Sequence, residues 1–200
     1  MAVSPPERFG LLISWSQDRV SLPTRERGDV GVVVFGGSFD PMHVGHVQAI
    51  RRLCARFPQV IVAPTSQNPW KSGASATFDE RLEMIRRVLT HESLNFVETF
   101  RPNAPLVLEH HPYTFAKDFV VYLRSLTARE VTWAVGEDAA DEPVRWKDWD
   151  RLGVAVITVP IEIDTHATDV RKGAACAHPA IRQFIRERGL YQADASAEDS

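Results

Sequence analysis

Apolar and polar positions along most of the chain switch between two periods. Residues 29–35, Asp-Val-Gly-Val-Val-Val-Phe, are a short β-branched run. That is the pattern of a strand buried on both faces. Over residues 43–57 the apolar side chains Val47, Ile50, Leu53, Cys54 and Phe57 recur at helical spacing,. Residues 60–63 predict a second strand. Thr77-Phe78-Asp79-Glu80 has the form of a capping box, which opens a helix with Leu82, Ile85, Val88 and Leu89 on one face. Residues 95–99 predict a third strand. Residues 113–126 predict a helix whose apolar side carries Phe115, Phe119, Tyr122, Leu123 and Leu126. Residues 130–135 and 153–159 predict two more strands. Residues 179–188 predict a last helix, with Pro179 in its first turn and Gly189 at its end,.

Strands that alternate with helices imply a parallel sheet joined by right-handed crossovers. The expected fold is α/β: a Rossmann-like doubly wound parallel sheet in a single domain over residues 30–191. Residues 1–29 read as an N-terminal extension, marked by Pro5, Pro6, Pro23 and the charged run at 25–29,. Within it, residues 11–15 are expected to add an edge strand or to pack on the surface. Residues 192–200 read as a flexible acidic tail. Ligands of such sheets bind beyond the carboxyl ends of the strands, so the loop after Phe35 is the first place to look.

Composition narrows the classes. The 200 residues are 44% hydrophobic and 24% charged, an ordinary globular balance,. Net charge is −3, from 23 Lys and Arg against 26 Asp and Glu. No overall basic field draws in nucleic acid, so an anion would have to be held by local groups. Cys54 and Cys176 are the two cysteines, and neither lies in a zinc or CxxC spacing. That argues against a disulfide scaffold and a structural zinc, and reads them as small buried hydrophobes. No apolar run approaches the roughly 20 residues of a membrane span. The apolar stretch at residues 9–15 is broken by Gly10 and Ser14 and lacks the form of a signal peptide,. A cytoplasmic location is expected.

The loop after the first long strand reads Gly36-Gly37-Ser38-Phe39-Asp40-Pro41-Met42-His43-Val44-Gly45-His46. It is neither GxGxxG nor a P-loop. Its physics is still that of a phosphate site. Gly36 and Gly37 are expected to let backbone approach a ligand, and Gly45 to leave room for it. A helix starting near His43 offers free N–H groups and a positive dipole end. His43 and His46, at i and i+3, share one face and can donate to phosphate oxygens. Two other readings stay open here: histidines satisfied within a tight turn, and a metal pair with Asp40 as third ligand.

The string GGSFDPMHVGH resembles the HxGH signature of the nucleotidyltransferase superfamily. Within it, the sequence is similar to the nicotinate/nicotinamide mononucleotide adenylyltransferase family, and the resemblance extends over residues 30–191. It implies transfer of AMP from ATP to nicotinate or nicotinamide mononucleotide, with release of pyrophosphate, in NAD biosynthesis. The residues it implies for ATP and its phosphates are Gly36, Gly37, Ser38, Phe39, Gly136, Asp138 and Thr168. The catalytic donors implied are His43, His46, Lys71 and Arg171. Lys71 lies in Asn68-Pro69-Trp70-Lys71, where Trp70 replaces the family's usual histidine. Arg81 and Met84 match a helix start that is mainly structural. Thr114, in Pro112-Tyr113-Thr114, is implied to face the pyridine substituent, and a plain N-cap is the bland alternative. Asp138, in Gly136-Glu137-Asp138, is implied to bond ribose hydroxyls. Trp146 is implied to stack on the pyridine ring, with simple packing as its alternative, and Trp149 is read as core. Thr168 and Arg171 lie in His166-Ala-Thr-Asp-Val-Arg171, where His166 replaces the usual serine. The family's Arg-Pro-Gly segment after its fifth strand is missing.

The implied cofactor is Mg²⁺ held by ATP phosphates, with no protein metal ligand. Implied partners are ATP and the mononucleotide, with no nucleic acid and no membrane; a homo-oligomer stays open. Two further readings also stay open. One is a pantetheine-phosphate adenylyltransferase. The other is a catalytically degenerate paralogue that binds nucleotide and regulates.

Overall fold

The computed structural model describes residues 12–13, 31–66, 76–140, 146, 148–163, 167–171 and 177–191. Seven strands form one sheet: β1 (Leu12–Ile13), β2 (Val32–Gly37), β3 (Gln59–Pro64), β4 (Val97–Glu98), β5 (Leu106–Leu108), β6 (Val131–Gly136) and β7 (Ala155–Val159). Five α-helices accompany them: α1 (Val44–Cys54), α2 (Phe78–His91), α3 (Ala116–Leu126), α4 (Ala167–Arg171) and α5 (Pro179–Arg188). The spatial order is β1-β7-β6-β2-β3-β5-β4, and every pairing is parallel. This is the doubly wound sheet expected from the alternating pattern. From β2 the chain builds outward through β3, then returns across β2 to lay down β6 and β7. The reversal makes the carboxyl end of β2 the topological switch point.

Successive residues of β2 feed opposite layers, as the two-residue period of a strand requires. Val33 and Phe35 join the core beneath α1, α2 and α5, with Ile50, Leu53, Ile85, Leu89 and Phe184. Val32 and Val34 join the core beneath α3, with Phe119, Leu123, Trp133 and Trp149. A strand buried on both faces needs the continuous β-branched run seen in the sequence. Thr77 caps α2 as its sequence predicts: Thr77 Oγ1 accepts the Glu80 N–H at 3.3 Å, and Glu80 Oε2 accepts the Thr77 N–H at 2.9 Å,. Helix α5 begins at Pro179 and ends at Gly189, whose φ of 62° places it in the left-handed region,.

Two features differ from the sequence reading. Strand β5 was not anticipated; three residues between Pro105 and Glu109 are too few to show a period. Helix α3 starts at Ala116 rather than 113, because Tyr113 is held by the sheet. Its hydroxyl donates to the Ala63 carbonyl at 2.9 Å, and its backbone makes a parallel bridge with Thr65. Phe115 and Leu126 consequently lie at the surface, 45% and 41% exposed, and the buried stripe of α3 is Phe119, Val120 and Leu123. Two residues of the N-terminal extension, Leu12 and Ile13, pair with Val156 and Ile157 of β7. No helix among the described residues is long and apolar enough to cross a membrane.

Candidate functional site

The loop between β2 and α1 turns sharply at Phe39, whose φ of 48° is left-handed. The Phe39 ring and Met42 are driven into the core, almost fully buried. They anchor the loop from below, so the histidines that follow have a fixed platform. His43 is the N-cap of α1, in extended backbone geometry. Its N–H donates to His46 Nδ1 at 3.1 Å. In neutral His46 the proton therefore sits on Nε2. The two imidazoles lie with ring centroids 3.8 Å apart, and Phe39 supports His46 from 4.9 Å. The first turn of α1 carries no acidic residue, which leaves its positive dipole end uncompensated by side-chain charge,. Among donors of this kind an anion is stabilised; a cation is not.

The glycines of this segment lie close to protein side chains. A Cβ on Gly36 would meet Trp133 at 2.2 Å and the Tyr113 hydroxyl at 2.8 Å. Gly36 therefore makes room for those two aromatic side chains under the switch point. A Cβ on Gly45 would lie 3.0 Å from Ile161 and 3.1 Å from the His43 ring. The space beside Gly45 is taken by protein, and it lets α1 approach the segment after β7. Gly37 has ordinary clearance, with Phe39 at 3.5 Å. The Phe39 side chain is core, which leaves its backbone as the part that borders the loop.

Arg171 reaches this loop from α4. Its Nη1 donates to the Asp40 carbonyl, and its Nη2 donates to Thr168 Oγ1 at 3.0 Å. The fold thus brings Thr168 and Arg171 to the histidine loop across 131 residues of sequence. Gly136 ends β6 in register with Val159, and Glu137–Ala139 turn as a single 3₁₀ unit immediately beyond. The backbone of Asp138 lies in that turn; its side chain is outside the described residues. Thr114 is exposed, its Oγ1 3.1 Å from Ser66 Oγ just past β3. Trp146 is half-buried and leans edge-on against Trp133 and Trp149, at 5.7 and 4.9 Å. Trp149 is buried core, as read. Lys71 and its Asn68-Pro69-Trp70 neighbours, His166, Cys176 and residues 192–200 lie outside the described residues. Cys54 packs partly buried against the core, where desolvation pushes its thiol up.

Two residues matter more than their sequence positions suggested. Arg81, matched to a structural helix start, is only 4% exposed. Its guanidinium donates to four carbonyls: Ala76 at 3.2 Å, and Ser38, Thr65 and Ser66 each at 2.7 Å. It ties the loops after β2 and β3 together. Burial lowers its pKa, and the charge of Asp40 opposes that shift. Asp40 is itself buried, and its Oδ1 accepts the Tyr191 hydroxyl at 2.5 Å and the Ala76 N–H at 3.2 Å. No local pattern flags a partner 151 residues away. The one available hint was a lone tyrosine just beyond the glycine cap of α5.

One group among the described residues brings potential metal ligands together: His91, Glu92 and His178, with atoms within 4.8 Å. Its hydrogen bonds mark a helix clamp. His178 Nδ1 accepts the Ala180 N–H at 3.3 Å, so the Nε2 proton is the one directed at Glu92 Oε1, 3.1 Å away. That tautomer offers no Nε2 lone pair to a metal. Arg51 of α1 holds the other carboxylate oxygen at 2.9 Å and keeps the Glu92 carboxyl below its usual range. The clamp joins α1, the end of α2 and the start of α5.

A parallel sheet whose switch strand feeds a histidine-bearing helix start, faced by an arginine from a later helix, defines a nucleotidyltransferase-type α/β protein. The family model described as cytidylyltransferase-like matches residues 34–179. The chain belongs to that family and, within it, to the nicotinate-nucleotide adenylyltransferases. A protein of Ruegeria pomeroyi named "Probable nicotinate-nucleotide adenylyltransferase" is 30% identical over 174 residues, 85% of this chain and 75% of that one. One of the same name from Chlorobaculum parvum is 28% identical over 193 residues, 80% of this chain and 97% of that one. The nicotinic acid mononucleotide adenylyltransferase of Plasmodium falciparum, solved in complex with NaAD, superposes with a TM-score of 0.62 at 14% identity. That match covers 80% of this chain and 96% of the other. At this identity the structural likeness shows the fold.

Proposed function

We propose that the protein transfers AMP from ATP to nicotinate mononucleotide, releasing pyrophosphate. The observation that carries this reading is the convergence of the α1 N-terminus, the His43–His46 pair and Arg171 on the loop at the switch strand. The names of the relatives support the choice of nicotinate over nicotinamide.

The chemistry suits a site built of donors. An ionised phosphate oxygen of the mononucleotide attacks the α-phosphorus of ATP, a new P–O bond forms, and the bond to the β-phosphate bridging oxygen breaks. The nucleophile is already ionised near neutral pH, so no general base is required. Catalysis rests on alignment and on stabilising charge as it moves onto pyrophosphate. His46 Nε2–H and His43 serve the phosphates from the helix start, with the backbone of Gly37, Ser38 and Phe39 beside them. Arg171 offers a planar guanidinium to a leaving phosphate, and Thr168 orients it. Lys71 adds a further cation. Asp138 takes the ribose hydroxyls; Thr114 and Trp146 take the pyridine end. The donor set around α1 fits phosphate oxygens and offers no carboxylate cage. Mg²⁺ would be held there by ATP phosphates and would supply neutralisation of their charge.

The direct test is pyrophosphate release with ATP and Mg²⁺, run in parallel with nicotinate and nicotinamide mononucleotides. Turnover with the nicotinate form is expected. No turnover with either, at high enzyme concentration and with ATP binding retained by calorimetry, would instead mark a nucleotide-binding protein without this activity. Trp146→Ala is expected to raise KM for the mononucleotide more than KM for ATP. Equal increases would assign Trp146 to packing alone.

A further inference from the structure

Asp40 is the point at which three parts of the fold meet. Its carboxylate is buried in the loop between β2 and α1, 4% exposed, and accepts both the Tyr191 hydroxyl and the Ala76 N–H on one oxygen. Its main-chain carbonyl accepts the Arg171 guanidinium. Three residues on, His43 caps α1 and is tied to His46. One short loop residue therefore connects the phosphate-facing arginine to the phosphate-facing histidines.

Tyr191 supplies the only side-chain donor that the described residues give to the Asp40 carboxylate. It stands just beyond α5, where Gly189 at φ 62° and Tyr191 itself at φ 58° turn the chain back toward the sheet. The ring packs against the core that α5 shares with α1 and α2, alongside Ile185 and Leu190. Its hydroxyl is thus delivered by a rigid element. Burial and the adjacent carboxylate both push the phenol's pKa up, so it stays a neutral donor. A hydrogen bond to a buried carboxylate is stronger than one between neutral groups, and it is directional.

We infer that Tyr191 is a positioning residue for adenylyl transfer. By holding Asp40, it fixes the carbonyl that aims Arg171. This rests on the adenylyl-transfer reading above. Tyr191 does not itself reach substrate in this assignment. It acts through Arg171, and that is what separates it from a residue that merely stabilises the fold.

Tyr191→Phe retains the ring and removes the hydrogen bond. The expected result is a loss of about fivefold in kcat, with KM for the mononucleotide within twofold of the parent, because Arg171 serves charge that develops on the leaving pyrophosphate. The decisive readout is coupling. The double variant Tyr191→Phe/Arg171→Met should be no slower than Arg171→Met alone. Losses that multiply, or a Tyr191→Phe kcat within twofold of the parent, would overturn the inference. A parent protein that releases no pyrophosphate would instead overturn the reading on which it rests.

Discussion

Arg81 and Arg171 both send a guanidinium to the loop between β2 and α1, from different helices. Arg81 comes from α2 beneath the loop and is buried, with donors on four main-chain carbonyls. Arg171 comes from α4, is half-buried, and places two donors on described partners, the Asp40 carbonyl and Thr168. The same chemical group has nearly all its donors taken up in one place and only part of them in the other, among the described residues. What decides the role is how many of the five N–H donors the fold itself takes up. An arginine with its fork nearly filled by carbonyls holds backbone in register; one with its fork partly filled is oriented yet still has bonds to give.

The largest effect expected from this contrast is on stability. Arg81→Met leaves four carbonyls at the junction of two loops without their donor. Buried acceptors left unsatisfied cost about 1–3 kcal/mol each before relaxation, so a net loss of about 4 kcal/mol is expected. Denaturant titration followed by tryptophan fluorescence reads it, and a midpoint equal to the parent's would erase the distinction. Next comes His46→Ala, which removes a donor from the helix start. Loss of one preorganised donor lowers kcat by about a hundredfold, and the melting temperature should move by only a few degrees. Near-normal turnover would take His46 out of the phosphate site. Arg171→Met should lower kcat by about thirtyfold with the fold intact. If it destabilised the protein as Arg81→Met does, the two arginines would share one role.

The smallest effect lies away from the site, in the His178 clamp. Burial holds this imidazole below its ordinary pKa in the folded protein, against the pull of Glu92. As pH falls through about 6.5, the unfolded chain takes up a proton that the folded chain does not. Stability from this group is therefore complete above about pH 6.5 and declines as pH falls toward the lower folded value. His178→Ala removes an N-cap at a cost of about 1 kcal/mol at pH 8. It should also flatten the decline below about pH 6.5, measured by urea unfolding at a series of pH values on either side of it. An unchanged slope would remove His178 from the acid response.

Much of the scaffold was legible because its signals are local. The β-branched run of β2, the Thr77–Glu80 box and the Pro179-to-Gly189 bounds of α5 each state their structure within a few residues. The histidine loop was legible for the same reason: its residues are contiguous. What stayed hidden depends on partners far apart. Gly36 looked like a ligand-approach glycine, because nothing in its neighbourhood announces that Trp133 and Tyr113 fill the space beside it. Arg81 matched a helix start, but the carbonyls it holds belong to three different segments. The Tyr191–Asp40 bond closes a separation of 151 residues, which no periodicity encodes. The misplaced start of α3 has a tertiary cause as well. Tyr113 has a side chain suited to the apolar face of a helix, and the sheet claims it through Ala63 and Thr65.

The two-residue strand β1 carries a consequence for how the protein is made. Leu12 leaves the ribosome early, yet its partner Val156 follows 144 residues later. The strand translated first therefore cannot dock until β7 has formed the edge that receives it. At translation rates of about 5–20 residues per second, that edge takes about 7–30 seconds to follow. Once in place, β1 covers backbone groups of β7 that would otherwise stand open to a second chain. The amino-terminal arm thus extends the sheet by one short strand beyond β7.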